Sequence, residues 1–480
     1  MKKNIINAPD LNKTRKRNLA QEVRIIYDEL VVPDIVQKKA PGLKFLILTY
    51  GCQANVRDQE VMEGMLLQAG YTKTNNIKNA ALIILNTCAV RENAEQKVLG
   101  KLGSLKSLKE NNKDLIIAVS GCMIGEPVIV DTLLNKYHQV DLMFGTNEIK
   151  NLLNYLAKVY QNKEVVVAAN DDNNDIVELL PSTRLSSFKA YVNIMYGCDK
   201  FCTYCIVPYT RGQQRSRSSV DILKECQDLK ARGYQEITLL GQNVNAYGKD
   251  LKQDISFGAL LKSVAATSIP RVRFLTSHPW DFSDEILEAF LEYPNLMPYL
   301  HLPIQAGSDR ILTLMGRRYH KNDYLNLITK IRLKLPHIAI STDIIVGFPN
   351  ETDQDFMETI DVVKKVRFDS AFTFIYSPRD GTPAARMPDD VPYKTKSQRF
   401  ISLVNELEQI IEVKSQQYLG KTVKVLVDGV SKNDPEMLNG YTEDNKLTHF
   451  KGPKTLIGSI AKVRINSAHI HYLLGELDAA

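Results

Sequence analysis

Cys198, Cys202 and Cys205 stand in the run Gly197-Cys198-Asp199-Lys200-Phe201-Cys202-Thr203-Tyr204-Cys205, three thiols within eight residues. Thiols this close on one short loop form a ligand set, because the thiolate is the metal-binding form of cysteine. A structural zinc site asks for four ligands in paired C-x2-C clips. An electron-transfer [4Fe–4S] cluster asks for four cysteines. The C-x3-C-x2-C spacing meets neither demand. It would hold three irons of a cubane and leave the fourth open to another ligand. A zinc clip or a redox loop is the alternative reading of the same residues.

Three more cysteines occupy equivalent places in an earlier part of the chain. Apolar runs at 44–49, 81–86 and 115–119 read as buried strands, with helical patterns at 56–69, at 91–109 and from about Pro127. Strand and helix alternate and the strands are continuously apolar, which predicts a doubly wound parallel sheet. Each strand runs into a cysteine: Thr49-Tyr50-Gly51-Cys52, Asn86-Thr87-Cys88 and Ser120-Gly121-Cys122. The intervals of 36 and 34 residues are one βα unit each. Strand C-termini share one edge of such a sheet, and ligands bind there. Three cysteines at that edge form a second three-thiol iron–sulfur site. Buried core cysteines are the bland alternative.

From Lys189 a longer alternation begins, with strands expected at 190–195, 236–240, 272–276, 299–303, 338–345 and 372–376. Helices at 220–232, 284–293 and 321–335 lie among them. Six βα units fall short of a closed eight-stranded barrel, so an open (βα)6 partial barrel is expected, with chemistry at its C-terminal rim. After about Gln417, alternating segments at 422–427, 440–450 and 457–466 predict a small all-β, OB-like barrel. Its eight Lys or Arg against seven Asp or Glu do not by themselves mark a nucleic-acid binder. Cys226 sits inside an amphipathic helix and reads as a core thiol.

The 480-residue chain is too long for one ordinary core. Its 44% hydrophobic and 24% charged residues suit a soluble globular protein. The sequence contains neither a membrane-spanning apolar run nor a secretory h-region. Seven widely spread cysteines argue against a disulfide framework and for a reducing cytoplasm. A net charge of +6 permits a polyanionic partner. Lys2, Lys3, Lys13, Arg15, Lys16, Arg17 and Arg24 make the first residues a basic extension, read as a solvated, partly disordered tail or a nucleic-acid arm.

The C-x3-C-x2-C loop resembles the radical-SAM superfamily. The chain from about residue 43 onward resembles the methylthiotransferases within it. The matching stretches include Thr49-Tyr50-Gly51-Cys52-Gln53-Ala54-Asn55, Asn86-Thr87-Cys88-Ala89-Val90-Arg91-Glu92, Cys205-Ile206-Val207-Pro208-Tyr209-Thr210-Arg211-Gly212, Gly241-Gln242-Asn243-Val244-Asn245-Ala246-Tyr247-Gly248 and Tyr376-Ser377-Pro378-Arg379. The resemblance implies a basic extension at 1–42, a three-cysteine domain at 43–160, a linker at 161–187, a radical-SAM domain at 188–416 and a TRAM domain at 417–480. This chain departs from the family at Gln213-Gln214, Ala306 and Tyr441, where Arg-Glu, Ser and Arg are common. The Gln pair and Tyr441 are expected in RNA-facing stretches.

The resemblance implies replacement of a C–H bond by C–SCH3 on an isopentenylated adenosine beside the anticodon of tRNA. Cys198, Cys202 and Cys205 would hold a [4Fe–4S] cluster that binds S-adenosylmethionine (SAM). Cys52, Cys88 and Cys122 would hold an auxiliary [4Fe–4S] cluster carrying the sulfur. Two SAM molecules would serve, one as methyl donor and one as radical source. Tyr204 is expected near the cofactor's adenine, Gly241 and Gln242 near its amino group, and Gln305, Asp343 and Gly347 near its ribose or carboxylate. Arg211, with Arg215 and Arg217, would hold the SAM carboxylate or the tRNA backbone, with a solvated basic face as the alternative. An electron donor such as flavodoxin or ferredoxin, a sulfur source and a monomeric state are implied. Other substrates remain open: a threonylcarbamoyl-adenosine in tRNA, or a ribosomal-protein aspartate. A non-enzymatic iron–sulfur or RNA-binding scaffold is the remaining alternative.

Overall fold

The computed structural model describes residues 3–7, 23–89, 92–169, 175–252 and 254–478. They divide into two compact units. One draws on Met1–Leu185, Met195–Ser218 and Arg379–Ala385, the other on Ser186–Ile194, Ser219–Pro378 and Arg386–Ala480.

The strands of the first unit are β1 (Lys3–Asn7), β2 (Lys44–Tyr50), β3 (Thr72–Lys73), β4 (Leu82–Thr87), β5 (Ile116–Gly121), β6 (Leu142–Phe144) and β7 (Val165–Ala168). They form one parallel sheet in the order β1-β7-β6-β5-β4-β2-β3. Helices α1 (Gln53–Gln68), α2 (Glu92–Asn111), α3 (Pro127–Lys136) and α4 (Leu152–Asn162) cover it. Alternate residues of each strand feed opposite cores. Phe45, Ile47, Leu82 and Ile84 pack with Met62 and Met65 of α1 and Leu152 of α4. Leu46, Ile83, Leu85 and Val119 pack with Val98 of α2 and Leu133 of α3. Helices on both faces explain why β4 and β5 carry apolar residues without alternation.

Two segments differ from expectation. Lys3–Asn7, read as part of a tail, is edge strand β1, paired with β7. Residues 165–168, read as linker, are β7 itself. Such pairing is made by backbone groups, which composition does not reveal. Arg24–Ile26 pairs with Asp175–Val177, and Arg24 meets Asp175 at 2.8 Å. The rest of the basic cluster (Lys2, Lys13, Arg15, Lys16 and Arg17) lies outside the described residues.

In the second unit, β8 (Lys189–Asn193), β9 (Glu236–Leu240) and β10 (Arg271–Phe274) form one parallel sheet. A second consists of β11 (Tyr299–His301), β12 (Ala339–Val346) and β13 (Ser370–Ile375). These are the six expected strands. Helices α5 (Ser219–Ala231), α6 (Phe257–Ala265), α7 (Asp284–Glu292), α8 (Lys321–Lys334) and α9 (Asp353–Val366) lie between them in sequence. Cys226 is fully buried in α5, as expected of a core thiol.

Strands β14 (Thr422–Val430), β15 (Met437–Thr442), β16 (Leu447–Lys451), β17 (Ile460–Ala468) and β18 (Tyr472–Leu477) close into a barrel. The segment expected as one strand at 440–450 is instead a hairpin, with Asn445 at φ 70° between β15 and β16. Asn tolerates that conformation better than most residues. The barrel docks on β10 through two buried arginines. Arg271 donates to the carbonyls of Tyr441 and Lys424, both at 2.9 Å. Arg273 donates to the carbonyls of Glu443 and Thr442 and, at 2.8 Å, to Glu236. Among the described residues no helix is long and apolar enough to cross a membrane.

Candidate active site

The ends of β2, β4 and β5 bring Cys52, Cys88 and Cys122 together. Cys88 lies within hydrogen-bond reach of both other thiols. Gly121 allows this convergence. Its φ of 104° suits glycine, and a Cβ there would stand 2.2 Å from the Thr87 carbonyl oxygen. A side-chain network ties the strand ends. Asn86 Nδ2 donates to the Asn55 carbonyl at 2.8 Å, and Asn55 Nδ2 donates to the Thr87 carbonyl at 3.2 Å. Cys52 Sγ lies 3.3 Å from Asn55 Oδ1.

Electrostatics divide the three thiols. The Cys88 hydrogen bond, aided by Arg211, pulls Cys52 down to about 5 against the cost of burial. Cys52 also stands at the N-terminal end of α1, a place that favours thiolate. Cys122 is lowered by the same two partners, Cys88 first. Cys88, the shared donor, is raised well above its ordinary value. Burial opposes the Arg211 charge, but Asp58 and the thiolates outweigh it and hold its pKa high.

The second triad lies on a loop of the same unit. Met195–Tyr196 pairs with Arg215–Ser216 and closes the loop's base. Gly197 sits at φ 70°, and a Cβ there would meet the Gln213 carbonyl oxygen at 2.0 Å. The Cys198 amide donates to the Gly212 carbonyl at 3.2 Å and the Cys205 amide to that of Cys202 at 2.9 Å. Desolvation pushes the Cys198 thiol up to about 12. A bound metal deprotonates such a thiol outright. Ala89 and Cys122 pack with Ile206 and Tyr209 of this loop, with Phe201 against them. The two triads fall in one compact unit, and residues of the Cys198–Cys205 loop and the turn after it pack with Cys122 in one apolar cluster.

Both triads fit iron–sulfur clusters by donor chemistry: three thiols each, on turns built by the surrounding backbone. Among the described residues no group of His, Cys, Asp or Glu closes on a single metal ion. Each ligated iron of a cubane takes its own thiolate, so its cysteines need not share one point.

Tyr204 is half-buried between Cys202 and Cys205. Arg211 is 5% exposed; its Nε donates to Cys122 Sγ at 3.0 Å and its Nη2 to Asp58 at 2.8 Å. Arg217 forks onto Glu178 at 2.6 and 2.8 Å, and Arg215 donates to Asn147 at 2.8 Å. All three arginines are buried, so the solvated-face alternative fails, and the Arg211 guanidinium is engaged with a thiol and a carboxylate. Gln213 and Gln214 are also buried, which corrects their expected RNA-facing placement. The backbone carbonyl of Tyr441 serves the barrel's docking on β10, and its ring lies under Lys189.

Gly241, Gln242, Gln305, Asp343 and Gly347 belong to the other unit. Gly241 follows β9, and the adjoining Asn243 donates to Asp281 at 2.7 Å. Gln305 holds φ 74°, and its amide donates to the Asp343 carbonyl at 2.9 Å. His301, the last residue of β11, faces Asp343 at 3.5 Å. The Gly347 amide donates to Glu351 at 2.7 Å.

Sequence reasoning missed Asp58, the buried pair Glu95 and Glu126, and the half-buried Arg379. Arg379 meets Glu95 at 2.8 Å. Glu126 Oε1 meets no donor among the described residues, and burial first, then Glu95, pushes its pKa up to about 8. Arg379 lies in a stretch that carries the family resemblance; nothing local marks the other three.

Residues 192–363 match the radical SAM superfamily, 44–145 the family described as uncharacterized protein family UPF0004, and 416–477 the TRAM domain. A tRNA-2-methylthio-N(6)-dimethylallyladenosine synthase of Geobacillus thermodenitrificans is 51% identical over 98% of this chain and 90% of its own. This chain belongs to that family. The synthase of the same name from Bacillus subtilis is 49% identical over 98% of this chain and 92% of its own. Among solved structures, the radical S-adenosylmethionine methyltransferase TsrM from Kitasatospora setae superposes with a TM-score of 0.52 at 12% identity. It covers 72% of this chain and 77% of that one, a likeness of fold alone. The family's N-terminal match spans Cys52, Cys88 and Cys122, and its radical-SAM match spans Cys198, Cys202 and Cys205.

Proposed function

We propose that this chain converts N6-isopentenyladenosine beside the anticodon of tRNA to its 2-methylthio derivative. The observation that carries this reading is the pairing of two three-cysteine sites within one unit, joined by the Ala89, Cys122, Ile206 and Tyr209 cluster. A chain with a single triad has a place for a radical source but none for a sulfur to be transferred.

In this reading Cys198, Cys202 and Cys205 hold the [4Fe–4S] cluster that binds SAM, and Cys52, Cys88 and Cys122 hold the auxiliary one. When bound, the first would supply one-electron reducing chemistry to SAM and the second would supply the sulfur. The target C–H bond is aromatic and unactivated, so the protein's part is positioning. Tyr204 would serve the cofactor's adenine, Gly241 and Gln242 its amino group, and Gln305, Asp343 and Gly347 its ribose or carboxylate. The C-terminal barrel engages tRNA. A small flavodoxin or ferredoxin delivers electrons, a separate source renews the sulfur, and the enzyme works as a cytoplasmic monomer.

The test is mass spectrometry of tRNA nucleosides. Protein reconstituted without oxygen receives SAM, a reductant and isopentenylated tRNA. A methylthio mass gain on the isopentenyladenosine is expected. Deoxyadenosine without that gain would overturn the substrate, and neither product would overturn the enzyme reading in favour of a scaffold.

A further inference from the structure

Arg211 belongs to the loop of the second triad, six residues beyond Cys205, yet its guanidinium ends at the first. Its Nε–H points at Cys122 Sγ at 3.0 Å, and its Nη2 holds Asp58 at 2.8 Å. Arg211 and Asp58 are both buried, at 5% and 6% exposure. Desolvating such a pair is costly, and hydrophobic residues of similar size often serve stability as well. Arg211 also lends the ion pair an N–H bond to sulfur. Charge and hydrogen bonds at the sulfurs are two quantities that set the potential of an iron–sulfur cluster.

We propose that Arg211 is a positioning residue for the Cys52, Cys88 and Cys122 site: its charge and N–H···S bond set the potential and retention of the cluster held there, and Asp58 tempers that charge. This rests on the reading that these three cysteines hold a cluster. It makes Arg211 a polar link between the two triads, beside the apolar one of Ala89, Cys122, Ile206 and Tyr209. The side chain that helps hold one cluster is placed by the loop that binds the other, so the chain can bring both sites into order together.

The test uses the full chain carrying Cys198→Ala, Cys202→Ala and Cys205→Ala, which leaves one cluster to observe. After anaerobic reconstitution, iron and sulfide are counted, and the midpoint potential is read by redox titration with electron paramagnetic resonance. Arg211→Gln removes a positive charge, so the potential shifts negative. Asp58→Asn removes a negative one, so it shifts positive. Arg211→Lys retains the charge and stays nearer the parent than Arg211→Gln does. Retention of iron against a chelator falls about 10–100-fold in Arg211→Gln, the usual cost of losing a partner that orients a metal ligand. Should Arg211→Gln fail to fold, Asp58→Asn and the neutral pair Arg211→Gln/Asp58→Asn decide the sign, with Asp58→Asn shifted positive of the parent and the pair negative of Asp58→Asn. Unchanged potentials, or shifts in the same direction for both single variants, would overturn the proposal. A parent with Arg211 intact that binds no cluster would instead overturn the cysteine assignment, and the proposal with it.

Discussion

Gly121→Ala tests whether the three strand ends are held together by backbone geometry. Gly121 closes β5 at φ 104° and ψ −169°, a region open almost to glycine alone. Holding alanine there costs about 1–3 kcal/mol. The new Cβ would also stand 2.2 Å from the Thr87 carbonyl oxygen and 2.7 Å from its nitrogen. Both atoms are backbone of β4, so relief requires the strands to part, and overpacking of this kind costs a further ~1–3 kcal/mol. The two effects give a loss of about 2–6 kcal/mol, against a typical whole stability of ~5–15 kcal/mol. The displacement falls between Cys88 and Cys122, which directly follow β4 and β5. Urea unfolding followed by circular dichroism should show a lowered midpoint. Anaerobic reconstitution should show iron lost from the first triad and kept at Cys198, Cys202 and Cys205. An unchanged midpoint with full iron at both sites would refute the argument.

The two triads should separate in function. Cys198→Ala should abolish SAM cleavage, whereas Cys88→Ala should spare cleavage and lose sulfur transfer, both read by deoxyadenosine release and tRNA mass. At the barrel junction, Arg273→Ala leaves Glu236 without its closest cation and removes the guanidinium N–H bonds to the carbonyls of Thr442 and Glu443. It should cost about 3–5 kcal/mol in urea unfolding, and Lys should rescue little, because it lacks the planar fork. In the second unit, burial works against the Asp355 carboxylate, but bonds from Arg310, Ser308 and Thr352 outweigh it and hold its pKa below the usual range. Its contribution is therefore present above the unfolded value of about 3.9 and lost as pH falls below it. Asp355→Asn should cost about 1–3 kcal/mol at neutral pH and flatten the acid limb of the stability profile; an unflattened limb would contradict the assignment.

Local periodicity determined much of this protein. The six rim strands, the sheet around Cys52, Cys88 and Cys122, and the C-x3-C-x2-C loop were all legible because each depends on residues close in sequence. Apolar runs buried on both faces name a parallel sheet, and a cysteine at each strand end then implies its neighbours. What the sequence left undecided lies between residues far apart along the chain. Arg211 and Arg217 look alike as letters. Only the fold sets one against Asp58 and Cys122 and the other against Glu178, partners 153, 89 and 39 residues away. A charge reads the same in sequence whether it faces water or a buried carboxylate, so the basic run after Cys205 gave no sign of burial. Gln213 and Gln214 are buried as well, and a polar side chain's burial depends on contacts distant in sequence. Lys3–Asn7 joins the sheet by backbone hydrogen bonds, which carry no side-chain signature. The packing of Ile206 and Tyr209 against Ala89 and Cys122, which joins the two cysteine sites in one unit, comes from long-range burial. Chemistry could be read from spacing, whereas charge placement and the meeting of the two sites required the folded chain.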